Sequence, residues 1–343
     1  MPPTSSALST VFVRPAVTLL NRVLTGTLVL LIAGCASVPP WPETAVGTNI
    51  ENSQPAVQLK VPFFPQERYQ CGPAALATML ASQKVPVTSE ELVPRVYLPE
   101  RKGSLKVELV AAARQYGMLV YPLKPDLADI LAEIDAGHPV LVMQNLGFDW
   151  FPQWHFAVVI GYDPLEEELI LHTDTRRANR QSMSVFYRTW DRAGQWSAVI
   201  LPPADFPATA QPLSFLEAAH DLEVTGQKSA AFAAYQAAAA RWPDEPAAHL
   251  GMGKIAFAKQ EWVQAVRFYA TTVENVPGLA PGWNNLAHAL AQAGCSQQAV
   301  DAMACANQIG PKSYASDLPA SGSSSYVRPD GFACPLIQCP VAD

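Results

Sequence analysis

The sequence predicts an α+β domain followed by an all-α domain built from repeated helix pairs. Between residues 58 and 203, helical patterns come first and strand patterns follow, and this order favours an α+β fold over alternating βαβ units. From Leu213 onward, small and aromatic residues recur at intervals of 34 positions. A proline-containing stretch, 204–212, separates the two patterns. We therefore expect folded domains at 58–203 and 213–311, joined by a short linker.

Within the first domain, turn residues separate the predicted helices and strands. Helices are expected to begin at Cys71 and after the capping residues Thr88, Ser104 and Asp126. Short apolar runs bounded by turns predict strands. These strand candidates span residues 59–63, 118–121, 139–145, 155–162, 168–173 and 195–201.

Composition limits the classes of function. The chain has 343 residues, of which 49% are hydrophobic and 15% charged, enough apolar material for two buried cores. The formal net charge of −7 argues against a nucleic-acid partner.

The N-terminal segment 1–34 has the features of a secretory signal. Arg14 and Arg22 precede or flank an apolar run from Val23 to Ile32, and the segment contains no acidic residue. The run is short for a membrane-spanning helix. It ends in Leu31-Ile32-Ala33-Gly34-Cys35, which resembles the lipobox of bacterial lipoproteins.

This resemblance implies that the signal is removed and that Cys35 is acylated, so the membrane would be a partner through the N-terminal lipid. Ala36, rather than an acidic residue, follows the cysteine. In a Gram-negative host this favours the outer membrane, with the protein facing the periplasm. An ordinary secretory signal or an uncleaved anchor is the alternative. Residues 35–57 lack periodicity and are interpreted as a tether.

The remaining cysteines divide between one candidate for chemistry, Cys71, and four near the C-terminus. Cys295 and Cys305 are ten residues apart in one predicted helix, so about 15 Å separates them, too far for a mutual disulfide. We expect each of them to pair with Cys334 or Cys339 in the Ser/Pro-rich tail, 312–343. No C-x-x-C pair is present and no histidine stands at ligand spacing. The sequence indicates neither a metal nor a cofactor.

Cys71 is the candidate nucleophile because it opens a predicted helix. Pro73 suits a first helical turn, where no backbone donor is needed. A thiol at this end of a helix experiences the positive end of the dipole, which favours the thiolate. Gln66 could place its amide beside the thiol and form an oxyanion hole with the Cys71 N–H. The alternative is a buried structural cysteine.

A nucleophilic cysteine also needs a base and a group that orients the base. His155 begins a buried strand directly after the aromatic run 150–154, so the scaffold would fix its position. A hairpin around Pro164-Leu165 would place Asp174 across from His155 on the same face. Asn145, at the end of a neighbouring strand, is the rival for the orienting role.

These residues carry a family resemblance. Gln66…Gln70-Cys71-Gly72-Pro73-Ala74-Ala75-Leu76, followed by His155-Phe-Ala-Val-Val-Ile-Gly-Tyr-Asp163, resembles the bacteriocin-processing (double-glycine leader) cysteine peptidases. It is more similar still to bacterial lipoproteins that join such a domain to tetratricopeptide repeats. The resemblance implies a papain-like fold with Cys71 as nucleophile, His155 as base, an Asp as orienting group and Gln66 as oxyanion donor.

The sequence departs from the exporter peptidases in two ways. The spacing from Gln66 to Cys71 is one residue shorter, and Asp174 lies nineteen residues after His155 because the intervening turn is longer. No G-x-x-x-x-G-K-[ST] motif is present in the sequence, so the ATP-driven export of those proteins is not implied.

The C-terminal periodicity resembles tetratricopeptide repeats, which place a helix pair in each repeat and small residues where helices touch. An alanine-rich bundle with accidental spacing is the alternative. The positions in phase are Pro243, Pro277 and Pro311; Ala231, Ala265 and Ala299; and Tyr235, Tyr269 and Met303.

The sequence therefore predicts an exported, membrane-anchored cysteine peptidase that acts on a peptide or protein, with helical repeats that bind a protein partner. A catalytically inactive scaffold that binds proteins at the envelope is the alternative. A papain-like cell-wall amidase is a third interpretation, which the Gly72-Pro73 pair disfavours. The sequence does not specify the substrate or its cleavage sequence.

Overall fold

The computed structural model describes residues 38–42, 56–67, 69–310, 314, 318 and 331–340. The predicted signal segment and Cys35 lie outside these residues, as do most of the tether and much of the tail. The chain divides into two units, 1–40 and 41–343, and the features below belong to the second. Among the described residues, no helix is both long enough and apolar enough to cross a membrane.

An antiparallel sheet of seven described strands is the centre of the first domain. Its strands are β1 (Val57–Gln58), β2 (Leu119–Pro122), β3 (Val140–Asn145), β4 (Trp154–Asp163), β5 (Glu168–Thr173), β6 (Arg176–Ser182) and β7 (Ser197–Leu201). The order is β2-β7-β3-β4-β5-β6, and β1 pairs with the second half of β4. The long strand β4 is buried along almost its whole length, as its continuous apolar sequence predicts.

Five helices accompany the sheet: α1 (Cys71–Ser82), α2 (Ser89–Val96), α3 (Lys106–Gln115), α4 (Leu127–Asp135) and α5 (Met183–Asp191). The first three share one core with alternate residues of the central strands. Phe156, Val158 and Ile160 of β4 face this core, so the residues between them project to the other side. Helix α1 packs directly on β4, which brings the start of the helix to the start of the strand.

The structure confirms the mixed α/β class and the predicted caps at Thr88 and Asp126, and it corrects several local predictions. The first strand lies at Val57–Gln58 rather than 59–63. Helix α3 begins at Lys106 after Leu105, and the Ser104 hydroxyl accordingly does not cap it.

Two elements, β6 and α5, were not predicted from the sequence. Strand β6 is an edge strand of mostly polar, solvent-facing residues, so it lacks the apolar alternation that marks a strand. Helix α5 has only nine residues and follows β6 without a side-chain cap. Both elements depend on neighbours that the local sequence does not reveal.

The predicted hairpin between β4 and β5 forms, but its register differs by one residue near His155. Val158 pairs with His172, whereas the predicted register placed it opposite Leu171. A bulge between Val159 and Gly161 shifts the pairing along the hairpin. Asp174 consequently lies in the turn beyond β5 and not in a strand opposite His155.

The second domain is all-helical, as predicted. Its six described helices are α6 (Pro212–Val224), α7 (Lys228–Arg241), α8 (Pro246–Ala258), α9 (Trp262–Asn275), α10 (Ala280–Gln292) and α11 (Ser296–Ile309). Corresponding helices begin 34 residues apart. The turns inside the pairs share one backbone conformation, because Gly226, Gln260 and Gly294 have φ values of 86°, 62° and 77°. The sequence period is therefore a structural period of helix pairs.

Two disulfides attach the tail to the last helix pair. Cys295 bonds to Cys334 and Cys305 bonds to Cys339. This is the arrangement that the ten-residue spacing of Cys295 and Cys305 favours. Phe332 from the tail packs against the core of these helices.

A buried carboxylate joins the first domain to the linker. Glu133 of α4 is 0% exposed and accepts hydrogen bonds from the backbone N–H groups of Ala208 and Thr209, at 3.1 and 2.9 Å. Its oxygens also contact the Thr209 hydroxyl and His138 Nδ1, each at 2.7 Å. Burial raises the pKa of Glu133, but the hydrogen bonds from His138, Thr209 and Ala208 outweigh burial and leave this pKa below its ordinary value.

We predict that Glu133→Ala lowers the free energy of unfolding by about 2–4 kcal/mol at pH 7, because it leaves buried donors without partners. Because the folded-state pKa is lowered, the carboxylate's contribution is present above the ordinary carboxyl pKa of about 4.3 and declines as pH falls. Chemical denaturation at several pH values measures both effects. Glu274→Ala, at an exposed position, is the control and should change stability by less than about 0.5 kcal/mol. Equal effects of the two substitutions would contradict the role of Glu133.

Candidate active site

Cys71 is placed by close packing at the start of α1. Pro73 occupies the first turn, and the Ala74 N–H donates to the Gln70 carbonyl at 3.2 Å to begin the helical pattern. A Cβ atom on Gly72 would lie 2.2 Å from the Ser104 hydroxyl oxygen, so this position needs glycine for the helix start to approach its neighbour. The Cys-Gly-Pro sequence thus places the thiol against the sheet.

The environment of Cys71 favours the neutral thiol in this structure. The residue is 9% exposed, and burial raises the pKa of its thiol above the ordinary value. Backbone hydrogen bonds at Phe156, Gly72 and Cys71 itself act in the opposite direction, and the Asp174 charge adds to the increase in pKa. The expectation that the helix start yields a thiolate is wrong for this resting state, because desolvation outweighs the backbone donors.

Asp174 lies in the two-residue turn between β5 and β6, with a φ of +50°. Its Oδ1 accepts a hydrogen bond from Gln66 Nε2 at 2.5 Å, and its carbonyl accepts one from the Gln66 backbone N–H at 3.1 Å. Its Oδ2 accepts a hydrogen bond from Arg176 at 2.9 Å. Gln66, the predicted oxyanion donor, is therefore hydrogen-bonded to Asp174, the predicted orienting acid.

His155 is 6% exposed and lies at the start of β4. Its Nε2 is 2.7 Å from the Thr173 hydroxyl oxygen and 3.8 Å from Asp174 Oδ1. The hydrogen-bonded neighbour is thus Thr173, and Asp174 acts at a longer distance. Burial lowers the pKa of His155, the Asp174 carboxylate raises it, and the Arg176 charge lowers it; the net result is a pKa below the ordinary value.

Asn145, the rival orienting residue, serves the loop between β3 and β4. Its Oδ1 accepts the backbone N–H groups of Gly147 and Gln153 at 3.0 and 2.9 Å, and its Nδ2 donates to the Phe148 carbonyl at 3.5 Å. Its side chain is therefore committed to fixing the loop that leads into His155.

A second buried histidine, His172, has a structural role. Its Nδ1 accepts the Ala178 N–H at 3.1 Å, so the ring proton lies on Nε2, which faces the Val61 carbonyl at 3.2 Å. His172 thereby joins β6 to the segment that leads toward Gln66. Burial lowers the pKa of this histidine, which agrees with the neutral tautomer.

One small cavity is lined by Gln66, Cys71, Thr173 and Asp174, among other residues. His155 is next to this cavity, because its Nε2 contacts the hydroxyl of the lining residue Thr173. The cavity measures about 10 Å³, room for roughly one water molecule. A peptide therefore requires the lining residues to move apart. Among the described residues, no cluster of His, Cys, Asp or Glu side chains forms a candidate metal site.

The sequence reasoning missed Thr173 and the contact between Gln66 and Asp174. Thr173 ends a strand candidate next to Asp174, and this adjacency is the sequence signal that would identify it. The contact between Gln66 and Asp174 spans 108 positions and has no local signal.

One family model and several solved structures are similar to the first domain. Residues 58–198 match the sequence model of the Peptidase_C39 like family. This part of the chain is therefore similar to C39 peptidases, and its α/β fold with an antiparallel sheet agrees with that similarity. The search of curated proteins found no match.

Several solved structures are similar to this domain. A structure described as a C39-like peptidase from Bacillus anthracis is 18% identical, covers 43% of this chain and 98% of its own, and has a TM-score of 0.37. A double glycine motif protease from an AMS/PCAT transporter, in complex with the leader peptide, is 22% identical over 43% and 97% of the two chains, with a TM-score of 0.32. The peptidase domain of Streptococcus ComA is 22% identical over 41% and 97%, with a TM-score of 0.33.

We predict that two neutralising substitutions move the pKa of His155 in opposite directions. Asp174→Asn removes the charge that raises this pKa and should lower it further, whereas Arg176→Gln removes a charge that lowers it and should raise it. NMR titration of the imidazole C–H resonances measures both shifts.

Arg177→Gln is the matched control, because Arg177 lowers the pKa of His172. It should raise the pKa of His172 and leave that of His155 nearly unchanged. Shifts of the same sign at His155 in Asp174→Asn and Arg176→Gln would contradict the electrostatic account of the site.

Proposed function

We propose that this protein is an exported, membrane-anchored cysteine peptidase that hydrolyses peptide bonds through Cys71, His155, Asp174 and Gln66. The observation that carries the proposal is the convergence of these groups. Cys71, Gln66 and Asp174 line one cavity, and His155 lies 3.8 Å from the Asp174 carboxylate. The Peptidase_C39 like match over residues 58–198 supports the same chemistry.

In the proposed reaction, His155 removes the proton from the Cys71 thiol as the sulfur attacks the substrate carbonyl carbon. His155 then gives this proton to the leaving amine, and the first product departs. A water molecule next attacks the thioester carbon and transfers a proton to His155. Release of the carboxylic acid product and return of the proton to sulfur restore the enzyme.

Gln66 serves two groups in this proposal. One of its two amide hydrogens bonds to Asp174 Oδ1, and the other remains for the substrate oxyanion. The Cys71 backbone N–H is the second donor to the oxyanion. The bond to Asp174 thus fixes the amide before substrate arrives, which reduces the reorganisation needed during attack.

Burial makes the resting pair neutral. It raises the pKa of Cys71 and lowers the pKa of His155, so both groups are uncharged near neutral pH. In this state His155 is able to accept a proton, and the thiolate forms as part of the attack. A general base of lowered pKa is suited to this role because it is unprotonated over a wide pH range.

The resemblance of the Cys71 and His155 motifs to double-glycine leader peptidases favours a peptide or protein substrate cleaved after small residues.

We further propose that the helix pairs are tetratricopeptide repeats that recruit a protein partner. Helices α6 to α9 contribute to a cavity of about 870 Å³. Its lining includes Glu217, Glu223, Tyr235, Lys254, Phe257 and Tyr269.

Acylation of Cys35 is proposed from the lipobox resemblance alone, and with it attachment to the outer membrane on the periplasmic side. Intact-mass measurement of the purified chain tests the acylation independently of enzymatic activity.

A catalytically inactive, protein-binding scaffold is the second candidate function. The small cavity at Cys71 and the raised pKa of the thiol favour it, because a working peptidase must admit a peptide and generate a nucleophile.

We predict that the wild-type protein cleaves members of a peptide mixture and that Cys71→Ala and His155→Ala each reduce cleavage by at least about 1,000-fold, since the two residues act as a unit. Mass spectrometry of the products measures the rates and the cleavage sites. His288→Ala, in the repeats, is the matched histidine control and should cleave at the wild-type rate. Peptide binding without cleavage by the wild-type protein would favour the scaffold, and cleavage that survives Cys71→Ala would exclude the proposed nucleophile.

A further inference from the structure

Thr173 is the residue that contacts the predicted base most closely. Its hydroxyl oxygen lies 2.7 Å from His155 Nε2, whereas the nearest oxygen of Asp174 is 3.8 Å away. The first distance is that of a hydrogen bond and the second is not. The orienting contact on the imidazole therefore comes from a hydroxyl group.

The Asp174 carboxylate has other hydrogen-bond partners. Gln66 Nε2 donates to Oδ1 at 2.5 Å and Arg176 donates to Oδ2 at 2.9 Å. Both oxygens are thus engaged by other donors, and Oδ1 remains 3.8 Å from His155 Nε2. This arrangement explains why Asp174 affects His155 through its charge and not through a direct hydrogen bond.

The charge of Asp174 favours one direction of the hydrogen bond between His155 and Thr173. A negative charge 3.8 Å from Nε2 favours a proton on that nitrogen, so Nε2 donates and the Thr173 oxygen accepts. The neutral ring then carries its lone pair on Nδ1. With the opposite tautomer, Nδ1 would carry a proton and would be unable to accept one from the thiol.

We propose that Thr173 is a positioning residue that fixes the orientation and the Nε2–H tautomer of His155, with Asp174 setting the direction of that hydrogen bond by its charge. The proposal deepens the proposed peptidase function and rests on it for its catalytic meaning. The tautomer itself is measurable in the resting protein, without substrate.

The structural part of the test is nitrogen-15 NMR of the imidazole rings in the full chain. We expect wild-type protein and Thr173→Ser to show the Nε2–H tautomer at His155. Thr173→Val removes the acceptor at nearly constant volume. The buried Nε2–H would then lack a partner, a cost that opposes the effect of the Asp174 charge, so this variant should show a mixture of tautomers. His172 is the internal control, because the Ala178 N–H fixes its tautomer independently, and it should remain Nε2–H in every variant.

The functional part is the ratio kcat/KM for a cleaved peptide. Loss of one hydrogen bond to the base predicts a decrease of about tenfold in Thr173→Val, with Thr173→Ser close to wild type. Thr173→Ala is a second variant in case the valine prevents folding, and it should reproduce both effects of the valine.

The tautomer decides the proposal. An unchanged Nε2–H tautomer at His155 in Thr173→Val and Thr173→Ala would overturn it, whatever the activity. A shifted tautomer in these variants, restored by serine, would support it. Failure of the proposed function gives a different result, in which the tautomer depends on Thr173 but the wild-type protein cleaves no peptide.

Discussion

The paired contact between Gln66 and Asp174 connects the two halves of the site. Gln66 belongs to the segment that leads into Cys71, and Asp174 belongs to the turn that follows the strand beside His155. One hydrogen bond joins the side chains at 2.5 Å and another joins the backbones at 3.1 Å. This contact helps to fix the positions of Cys71 and His155, the proposed nucleophile and base, although 84 residues separate them in sequence.

The same contact explains why the site is closed and neutral. It draws the Gln66 segment against the β5–β6 turn, and the cavity that remains holds about one water molecule. Exclusion of water raises the pKa of the Cys71 thiol and lowers that of His155. The charged pair is therefore disfavoured at rest, and under the proposed mechanism the peptide that opens the cavity would also supply the carbonyl that the sulfur attacks. A buried neutral thiol is also less susceptible to oxidation than an exposed thiolate.

Features that depend on short sequence segments could be predicted, and features that depend on distant contacts could not. The helix at Cys71 follows from Pro73 and the apolar residues after it, and the strand at His155 follows from its uninterrupted apolar run. The helix pairs follow from the 34-residue period. By contrast, β6 is polar and depends on β5 for its pairing. The bulge near Gly161 changed the register, so Thr173 rather than Asp174 contacts His155 directly.

The most direct measurement for the central claim is the rate of Cys71 alkylation by iodoacetamide as a function of pH, in wild-type protein and in His155→Ala. Cys35 is replaced by serine in both proteins, and mass spectrometry identifies the modified cysteine. The account predicts that the wild-type rate rises with an apparent pKa below about 6.5, the ordinary histidine value, because deprotonation of His155 activates the thiol. The variant should respond only above about 8.5, the ordinary thiol value, because burial raises the pKa of Cys71. Identical profiles above about 8.5 in both proteins would show that His155 does not activate Cys71, and would contradict the account.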